Sequence, residues 1–421
     1  MPTHSAPCGL DFGTSNSTLA VPTGDGPALV PLEGEHVTLP SAMFFGFDAE
    51  HAFLVGRAGV TAYIDGVQGR LLRSLKSILG SSLIDEKTPV FRKRMAFSEI
   101  IGRYLAEVKR RAEVRLGHPI DQVVMGRPVH FVNDDPVGDR HAEDSLRKIA
   151  HGIGFREVSF QYEPVAAALD YERQITRETL VLVADIGGGT SDFTIVRLSP
   201  QQHGQRERAS DLLANGGIRL GGTDFDTSLS MAAFMPLLGH GTPQKRQELE
   251  VPARPYWDLS TWSAVHLLYE PKRILELRSI RQAALYPEHI DRLLRIIDHR
   301  RAHSLLIAVE AAKIALSDAE RATAALDWIE PGLAVDCTEE GFRQATRRLH
   351  ERLRTTVLSC AQAAGIRIDQ LDAIYFTGGT SQIPDVRATI ASCFPESAIV
   401  DGDRFGSVGL GLAVEAQRRY G

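Results

Sequence analysis

Two glycine-rich stretches of the sequence each combine an acid, a flexible turn and small hydroxyl side chains. The first reads LDFGTSNSTLAV over residues 10–21, and the second reads ADIGGGTSDFTIV over residues 184–196. In both, an aspartate (Asp11 or Asp185) closes an apolar run, and a second apolar run follows the turn. Apolar runs around a short glycine turn predict a β-hairpin. The chain therefore carries the same device twice.

A device of this kind suits the binding of phosphate groups. Glycines let backbone N–H groups approach phosphate oxygens closely, and threonine and serine hydroxyls add further donors. An aspartate at the end of a strand can hold Mg²⁺ through its water ligands, because Mg²⁺ dehydrates reluctantly. Two copies predict a phosphate clamp with two arms. For either copy taken alone, the alternative is an ordinary hairpin turn whose glycines adopt positive φ angles.

A third glycine turn, FTGGTSQIPDV at residues 376–386, opens a predicted helix. It could bind phosphate at the helix N-terminus, or accept a flat base against its bare backbone. The alternative is the βα turn of an ordinary α/β fold. These residues alone leave the choice open.

Composition and charge set the class of protein. The chain has 421 residues, which predicts two or more domains, and its 43% hydrophobic and 24% charged residues are typical of a globular protein. A net charge of −6 gives no reason to expect nucleic acid or an anionic membrane as a partner. The four cysteines are scattered and form no C-x-x-C pair, which argues against a disulfide framework or a zinc site. With no signal peptide and no apolar span of about 20 residues, we expect a cytoplasmic protein.

Hydrophobic periodicity and turn residues predict a mixed succession of strands and helices. Predicted strands cover residues 8–13, 17–21, 43–47 and 325–338 and the hairpin 179–198, and residues 122–131 predict a buried strand followed by a loop. Predicted helices cover residues 70–80, 97–117 (with Ser98 as the N-cap), 139–154, 163–174 and 342–365. Residues 373–394 predict a strand, a glycine turn and a helix, and another helix ends the chain.

One stretch interrupts this succession. Residues 239–256 are rich in glycine, proline and charge, which predicts an exposed loop. The following YWDLSTW carries Trp257 and Trp262. Exposed tryptophans are common anchors for partner proteins, but we expect these two to pack in the core.

The three glycine segments resemble the two phosphate segments and the adenosine segment of the actin-like ATPase superfamily. Three further segments, YEPVAAALDYE (residues 162–172), LGGTDFD (220–226) and VEAAKIALSD (309–318), are similar to segments of the heat shock protein 70 family, the DnaK-type chaperones. The resemblance covers most of the chain and is confined to the family's nucleotide-binding domain. Within the family, FQYEPVAAALDYE, FMPLLG and FGSVGLGLA look most like the atypical YegD-like branch.

This resemblance implies an α/β protein with the actin-like ATPase fold. Two lobes, each built on a duplicated ribonuclease-H-like mixed sheet, would enclose a nucleotide cleft. Lobe I would span residues 1–178 with an insertion at about 40–117. Lobe II would span residues 179–421 with an insertion at about 226–310.

The resemblance also implies roles for individual residues. Asp11, Asp185 and Glu163 would hold Mg²⁺, mostly through water. Lys76, Glu163, Thr190 and Asp192 would be the catalytic residues, with Asp192 orienting or deprotonating the attacking water. The β- and γ-phosphates would contact Gly13, Thr14, Ser15, Asn16, Gly187, Gly188, Gly189 and Thr190. Ribose and adenine would contact Glu310, Lys313 and Ser317, which we expect on one helix face, together with Gly378, Gly379, Ser381, Gly221, Gly222 and Asp224.

The implied activity is slow, Mg²⁺-dependent hydrolysis of ATP to ADP, with K⁺ as a further ion that the resemblance allows. The nucleotide state would control lobe closure and the binding of an unidentified protein partner, as in chaperones of protein folding and the stress response. Two alternatives stay open. One is a non-hydrolysing nucleotide sensor or adaptor that docks a partner through Trp257 and Trp262, and the other is an actin-like filament former.

Three departures from the family pattern qualify this expectation. Ser159 stands where the family has an arginine used with J-domain partners, so a standard J-domain partnership is not expected. The last glycine motif reads DRFGSVGLG and is altered at Phe405 and Gly406. The sequence ends after the predicted last helix, so we expect no peptide-binding domain.

Overall fold

A computed structural model gives the structure of the chain. It describes residues 6–47, 53–80, 82–90, 93–132, 135–172, 174–202, 205, 208–246, 249–262, 264–402 and 406–421, and Phe405 lies outside them. The strands are β1 (Cys8–Phe12), β2 (Asn16–Thr23), β3 (Gly26–Leu29), β4 (Thr38–Pro40), β5 (Ala42–Gly46), β6 (Leu54–Val55), β7 (Gly69–Arg73), β8 (Lys87–Val90), β9 (Lys93–Ala96), β10 (Gln122–Arg127), β11 (Glu157–Tyr162), β12 (Thr179–Ile186), β13 (Ser191–Leu198), β14 (Leu212–Ile218), β15 (Arg321–Ala325), β16 (Ala334–Thr338), β17 (Ala373–Thr377) and β18 (Ala398–Asp401). The helices are α1 (Arg57–Ile64), α2 (Phe97–Leu116), α3 (Pro136–Gly152), α4 (Glu163–Glu172), α5 (Gly222–Leu229), α6 (Arg254–Leu259), α7 (Pro271–Ala283), α8 (Pro287–Asp298), α9 (Ala302–Ala315), α10 (Glu339–Ala363), α11 (Pro384–Ala391) and α12 (Ser407–Tyr420).

Two mixed sheets repeat one pairing pattern. In the first, the strand order is β11-β10-β1-β2-β3, and β4 also pairs with β2. In the second, the order is β14-β13-β12-β17-β18. In each sheet three consecutive strands run antiparallel and two later strands add in parallel to the first of them. The predicted α/β class is confirmed, and the shared pairing pattern agrees with the repeat seen in the two glycine hairpins.

Two helices with small residues pack against these sheets. Helix α12 contacts β1, β2, β3 and β10, and α4 contacts β12 and β13. The two helices also contact each other closely, because a Cβ at Gly411 would lie only 1.8 Å from the carbonyl oxygen of Ala166. The alanines of α4 and the glycines of α12 therefore serve close packing. Glu163 begins α4, so this packing also holds a predicted site residue.

The chain divides into two compact units. The first comprises Met1–Ile218, Thr356–Ser381 and Ala391–Gly421, and it contains both mixed sheets. The second comprises Arg219–Thr355 and Gln382–Ile390, and its elements are mainly helices together with the β15–β16 hairpin. The lobe division at residue 178 and the two insertions stay predictions.

The helix predicted over residues 70–80 is wrong. Residues 69–73 form β7, which pairs antiparallel with β5, so that Leu71 lies opposite Phe44. Ser74 then adopts a left-handed φ of 57°, and Leu75–Ile78 form a single 3₁₀ turn. The leucine spacing fitted a helix, but cross-strand pairing decides the conformation. The helix at residues 97–116 is confirmed, although Ala96 rather than Ser98 occupies its N-cap position.

The region after residue 239 differs from expectation in two ways. The loop prediction for residues 239–256 is only partly right, because Val251 and Tyr256 are buried and the Tyr256 hydroxyl donates to the Leu238 carbonyl at 3.1 Å. The core packing expected for Trp257 is wrong, because its side chain is 52% exposed. Trp262 is half-buried, with its ring 4.9 Å from that of His303.

Two observations bear on the chain's environment. None of the helices formed by the described residues has the length and apolar character needed to cross a lipid bilayer. The four cysteines all lie within the described ranges, and each is a buried free thiol.

Candidate functional site

The first glycine hairpin joins β1 to β2. Asp11 lies opposite Thr18 and Phe12 lies opposite Ser17, so Asp11 is close to the turn at the end of its strand. The turn needs glycine at position 13, because a Cβ there would lie 2.2 Å from the backbone oxygen of Asn16. The predicted site residues Thr14, Ser15 and Asn16 complete the turn.

A second segment holds this turn in place. The Ser41 hydroxyl donates to the Gly13 carbonyl at 2.7 Å, and the Ser41 amide donates to the Ser15 carbonyl at 2.8 Å. Ser41 itself is buried. Ser41 carries no signal in the sequence that would single it out, because its link to the turn depends on the pairing of β4 with β2.

The second hairpin joins β12 to β13 in the same register. Asp185 lies opposite Asp192 and Ile186 opposite Ser191, and the Gly187 amide donates to the Thr190 carbonyl at 2.9 Å. Burial raises the pKa of Asp192, and the Thr190 side chain acts in the opposite direction. The described glycines 13, 187, 188 and 189 all lack the positive φ that an ordinary hairpin turn would use. A positive φ angle therefore does not explain these four glycines, whereas close contacts do explain Gly13, whose Cβ would meet the backbone of its own turn.

The two turns face each other. A Cβ at Gly188 would lie 2.3 Å from Oγ of Ser15, whereas a Cβ at Gly189 would meet no atom within 4 Å. The hydroxyl side of one turn thus lies against the bare backbone of the other. This is the arrangement expected of a two-armed phosphate clamp.

The third glycine turn supports the second hairpin. Gly378 has a φ of 80°, and a Cβ there would lie 2.4 Å from the Ile186 carbonyl oxygen and 2.7 Å from Oδ1 of Asp185. The Thr380 hydroxyl donates to the Gly187 carbonyl at 2.8 Å. The Ser381 hydroxyl is buried and donates to the Gly378 carbonyl at 2.6 Å. The predicted adenosine contacts of Gly378, Gly379 and Ser381 stay predictions.

Lys76 reaches the carboxylates from the 3₁₀ turn after β7. Its Nζ donates to Oε1 of Glu163 at 2.5 Å, and the two side chains are only 10% and 12% exposed. Glu163 follows β11 directly and begins α4. Neighbouring β10 leaves space for it, because a Cβ at Gly126 would lie 3.1 Å from Cγ of Glu163.

Crowded negative charge dominates the electrostatics of the site. Burial, and then the charge of Glu163, raise the pKa of Asp11 to about 7, against the opposing effect of Lys76. Burial, and then Asp192, Glu163 and Asp11, raise the pKa of Asp185 to about 8. Burial and Glu163 raise the pKa of Asp192 to about 6. Four carboxyl groups thus share one ammonium group, an arrangement that a bound cation would relieve.

Lys76 keeps its charge in this environment. Burial works to lower its pKa, but Glu163, Asp11 and Asp185 together outweigh burial and raise it. An ammonium group held by carboxylates is a fixed positive charge at the site. It is suited to a developing negative charge on a bound ligand.

The donor set fits a hydrated divalent cation. Hard carboxylate oxygens are the ligands that Mg²⁺ takes from proteins, and Mg²⁺ keeps several of its waters when it binds. Within the described ranges, no three carboxylate, imidazole or thiolate side chains come together as a direct metal-binding group. That Asp11, Asp185 and Glu163 hold the ion through its water ligands stays a prediction.

The predicted adenosine residues of the second unit form their own cluster. Oδ2 of Asp224 accepts from the Gly221 amide at 2.9 Å and so caps α5, of which Gly222 is the first residue. Lys313 on α9 is buried, pairs with Asp226 at 2.8 Å and approaches the Gly222 carbonyl at 3.4 Å. Asp226 belongs to the LGGTDFD segment, and its role as the partner of Lys313 was missed because the two residues are far apart in sequence.

The predicted common helix face is wrong in one respect. Glu310 and Lys313 lie on α9, but the helix ends at Ala315 and Ser317 lies in the turn beyond it. Ser317 is still close, since its Oγ is 3.5 Å from the Lys313 carbonyl oxygen. The sequence placed these residues near each other, but extended the helix too far.

Comparison with known proteins gives a consistent family match. The family model described as Hsp70 protein matches residues 86–235 and 289–419, which is more than half of the chain. Chaperone protein HscA of Escherichia coli O9:H4 (strain HS) is 26% identical over 434 residues, covering 97% of this chain and 57% of that protein. Chaperone protein HscA of Shigella boydii serotype 18 (strain CDC 3083-94 / BS512) matches with the same identity and coverage. The chain thus spans a little over half the length of these curated relatives.

Proposed function

The chain belongs to the Hsp70 family, and we propose that it binds ATP with Mg²⁺ and hydrolyses it slowly to ADP and phosphate. One observation carries this proposal: the carboxyl groups of Asp11, Glu163, Asp185 and Asp192 share Lys76 beside two glycine turns that face each other. Such a site combines carboxylates for a cation, hydrogen-bond donors for phosphate and a carboxylate that can accept a proton from water.

The two turns divide the task of binding phosphate. The first turn supplies side-chain donors from Thr14, Ser15 and Asn16. The second supplies backbone N–H groups from residues 187–189 and the hydroxyl of Thr190. Mg²⁺ supplies neutralisation of the phosphate charge when bound, with Asp11, Asp185 and Glu163 holding its water ligands.

Hydrolysis requires an acceptor for the proton of the attacking water. Asp192, oriented by the Thr190 hydroxyl, has a pKa of about 6, which is close to neutral and suits a general base. Lys76 places a fixed positive charge where the γ-phosphate develops negative charge. Glu163 holds that ammonium group in position.

The remaining roles extend the same proposal. Glu310, Lys313, Ser317, Gly221, Gly222 and Asp224, with Gly378, Gly379 and Ser381, would bind adenosine. The two lobes, their nucleotide cleft and a cytoplasmic location are part of the proposal. The free thiols support the location, and the repeated sheet pattern supports the two lobes.

Chaperone activity is proposed through partner binding that depends on the nucleotide state. Within the family we propose the YegD-like branch, on the strength of the FQYEPVAAALDYE and FGSVGLGLA segments. At the J-domain position, the Ser159 hydroxyl accepts from the Tyr420 hydroxyl at 2.7 Å. A partner that uses an arginine there would not find one in this chain.

Turnover of the wild type and Lys76→Ala tests the proposal. We expect Mg²⁺-dependent release of phosphate by the wild type, and a fall of about 10²–10³-fold in kcat for Lys76→Ala. Calorimetry should show that the variant still binds ATP. Lys87→Ala, which removes an exposed lysine, is the matched control. Equal kcat values for all three proteins would contradict the catalytic role of Lys76.

A nucleotide-dependent adaptor is the second candidate, because Trp257 is 52% exposed. Aromatic residues of this kind are frequent anchors at protein interfaces. Tight ATP binding by calorimetry without measurable phosphate release would favour this function over hydrolysis.

A further inference from the structure

We propose that Arg127 is a positioning residue that fixes the positions of Lys76 and Glu163 without contacting either side chain directly. The inference rests on the proposed ATP hydrolysis, and it adds a residue that the glycine and acid motifs do not contain. Arg127 ends β10, and its side chain is only 12% exposed. Its guanidinium group is held by Asp139 and Glu143, and the role proposed here is one that acts through neighbouring residues.

One side of Arg127 leads to Glu163. The register of the parallel pair β10–β11 places Arg127 opposite Tyr162, the residue directly before Glu163. The guanidinium carbon lies 5.2 Å from the centroid of the Tyr162 ring, which is cation–π range. Gly126, next to Arg127, is in close contact with Glu163 itself. A shift of the Arg127 side chain would thus displace Tyr162 and, with it, Glu163 at the start of α4.

The other side of Arg127 leads to the loop that follows β10. Its Nη2 donates to Oδ2 of Asp139 at 2.5 Å and to the Val129 carbonyl at 3.2 Å. Oδ1 of the same Asp139 accepts from the Phe131 amide, and the Phe131 ring lies 5.3 Å from the guanidinium carbon. Arg127 and Asp139 together fix the course of residues 128–132.

That loop in turn contacts the segment carrying Lys76. Gly80 has a φ of 79°, and a Cβ there would lie 2.4 Å from Cγ2 of Val132. The 3₁₀ turn of Lys76 ends at Ile78, so the loop lies against the segment directly after it. Arg127 is therefore connected to Glu163 through Tyr162 and to Lys76 through the loop. The two sets of contacts lead to the two members of the ion pair.

Arg147 provides a matched control in the same cluster. Both arginines donate to Glu143, and Arg147 also lies over an aromatic ring, that of Phe160, at 4.8 Å. Its second hydrogen bond is to the Val158 carbonyl at 2.9 Å, near the start of β11 rather than at Glu163. Replacing Arg147 removes an arginine from the same Glu143 cluster but leaves the contacts of Arg127 with Tyr162 and Asp139 in place.

The test compares Arg127→Met with Arg147→Met in the full chain. For Arg127→Met we expect kcat to fall about 10–100-fold, because even a small displacement of catalytic groups slows the reaction strongly. Its Kd for ATP, measured by calorimetry, should stay within about threefold of the wild type. Arg147→Met should keep both quantities within about threefold. Arg127→Lys, which keeps the charge but not the planar fork, should give an intermediate kcat and replaces Arg127→Met if that variant does not fold.

Hydrogen exchange gives a readout that does not depend on turnover. The amides of Ser77 and Leu79 are bonded to the carbonyls of Ser74 and Lys76. Arg127→Met should speed exchange in residues 74–80, and Arg147→Met should not. A wild-type kcat in Arg127→Met, or equal losses of kcat and melting temperature in both variants, would overturn the positioning role. If the wild type itself releases no phosphate, the proposed function fails, and unchanged exchange at residues 74–80 would then overturn this inference separately.

Discussion

The two glycine hairpins of the site share one backbone plan and differ in chemistry. In each, an aspartate of the first strand lies opposite a residue of the second strand next to the turn. In the first hairpin the opposite residue is Thr18, and in the second it is Asp192. The first turn carries polar side chains, whereas the second is glycine at three positions.

This difference distinguishes the residues proposed to bind the nucleotide and its cation from the residue proposed to act in hydrolysis. The duplicated strands place two acids, Asp11 and Asp185, in equivalent positions, which suits a shared cation. Only the second hairpin adds a further acid, Asp192, with a hydroxyl partner in Thr190. Repetition of the strand pattern therefore accounts for the two arms of the proposed clamp, and the departure from repetition accounts for where the proposed hydrolysis would occur.

The largest expected effect comes from removing the acid that distinguishes the second hairpin. Asp192→Asn keeps the size of the side chain but cannot accept a proton, so kcat should fall about 10²–10³-fold. The Kd for ATP should change little. Thr18→Val, at the equivalent position of the first hairpin, should leave kcat within about threefold. Single-turnover phosphate release and calorimetry measure the two quantities, and a comparable loss of kcat in both variants would show that the hairpins are equivalent after all.

The second prediction concerns the stability of the nucleotide-free protein. Asp185 is crowded by other acids, so Asp185→Asn should raise the free energy of unfolding by about 1–3 kcal/mol at pH 8 in the presence of a chelator. The same variant should lose the stabilisation that Mg²⁺ and ATP give the wild type. Urea denaturation with and without Mg·ATP measures both effects. An unchanged or lower stability without ligand would mean that the charge at position 185 is already compensated.

The sign of the pH dependence follows from the same group. The pKa of Asp185 is raised from 3.8 in the unfolded chain to about 8 in the folded one, so the folded state binds the proton more tightly. Its contribution to stability is complete below pH 3.8 and is lost as the pH rises towards 8. In the presence of a chelator, the free energy of unfolding of the wild type should therefore fall from pH 5 to pH 8. That of Asp185→Asn should fall less, and urea denaturation at each pH measures both.

The third prediction uses two neighbouring glycines of the second turn. A methyl group at position 188 would collide with Oγ of Ser15, and the hydroxyl would have to rotate away from the phosphate site. Gly188→Ala should therefore weaken ATP binding by about tenfold, or roughly 1.4 kcal/mol. Gly189→Ala has open space and should bind within about threefold of the wild type. In a Ser15→Ala background the effect of Gly188→Ala should shrink, and an undiminished effect would place its cause elsewhere.

The sequence predicted these hairpins well because their signal is local. Apolar runs, an acid and glycines lie within a dozen residues, and strand pairing follows directly from them. The helix predicted over residues 70–80 failed for the opposite reason. Its leucines have helical spacing, but they lie in β7, which pairs with β5. That pairing depends on residues distant in sequence. Lys76 was singled out through family resemblance, although the helix predicted to carry it is a strand followed by a 3₁₀ turn.

Partners at long range were the hardest to foresee. The pairing of Lys313 with Asp226, the anchoring of the first turn by Ser41 and the exposure of Trp257 all depend on tertiary packing. Residue type does not determine which distant group a side chain will meet. Which acids and glycines come together was therefore more predictable than the scaffold that positions them.

The smallest expected effect tests whether Thr18 has any role of its own. Its Oγ1 is buried and has no hydrogen-bond partner among the described residues, and Gly409 of α12 lies against it. A buried hydroxyl without a partner is destabilising, so the isosteric Thr18→Val should raise the free energy of unfolding by about 0.5–1 kcal/mol. Thr18→Ser, which keeps the hydroxyl and loses a methyl group, should lower it by a similar amount. If Thr18→Val is instead less stable than the wild type, the hydroxyl is satisfied in the folded protein, and the first hairpin, like the second, makes use of the polar group opposite its aspartate.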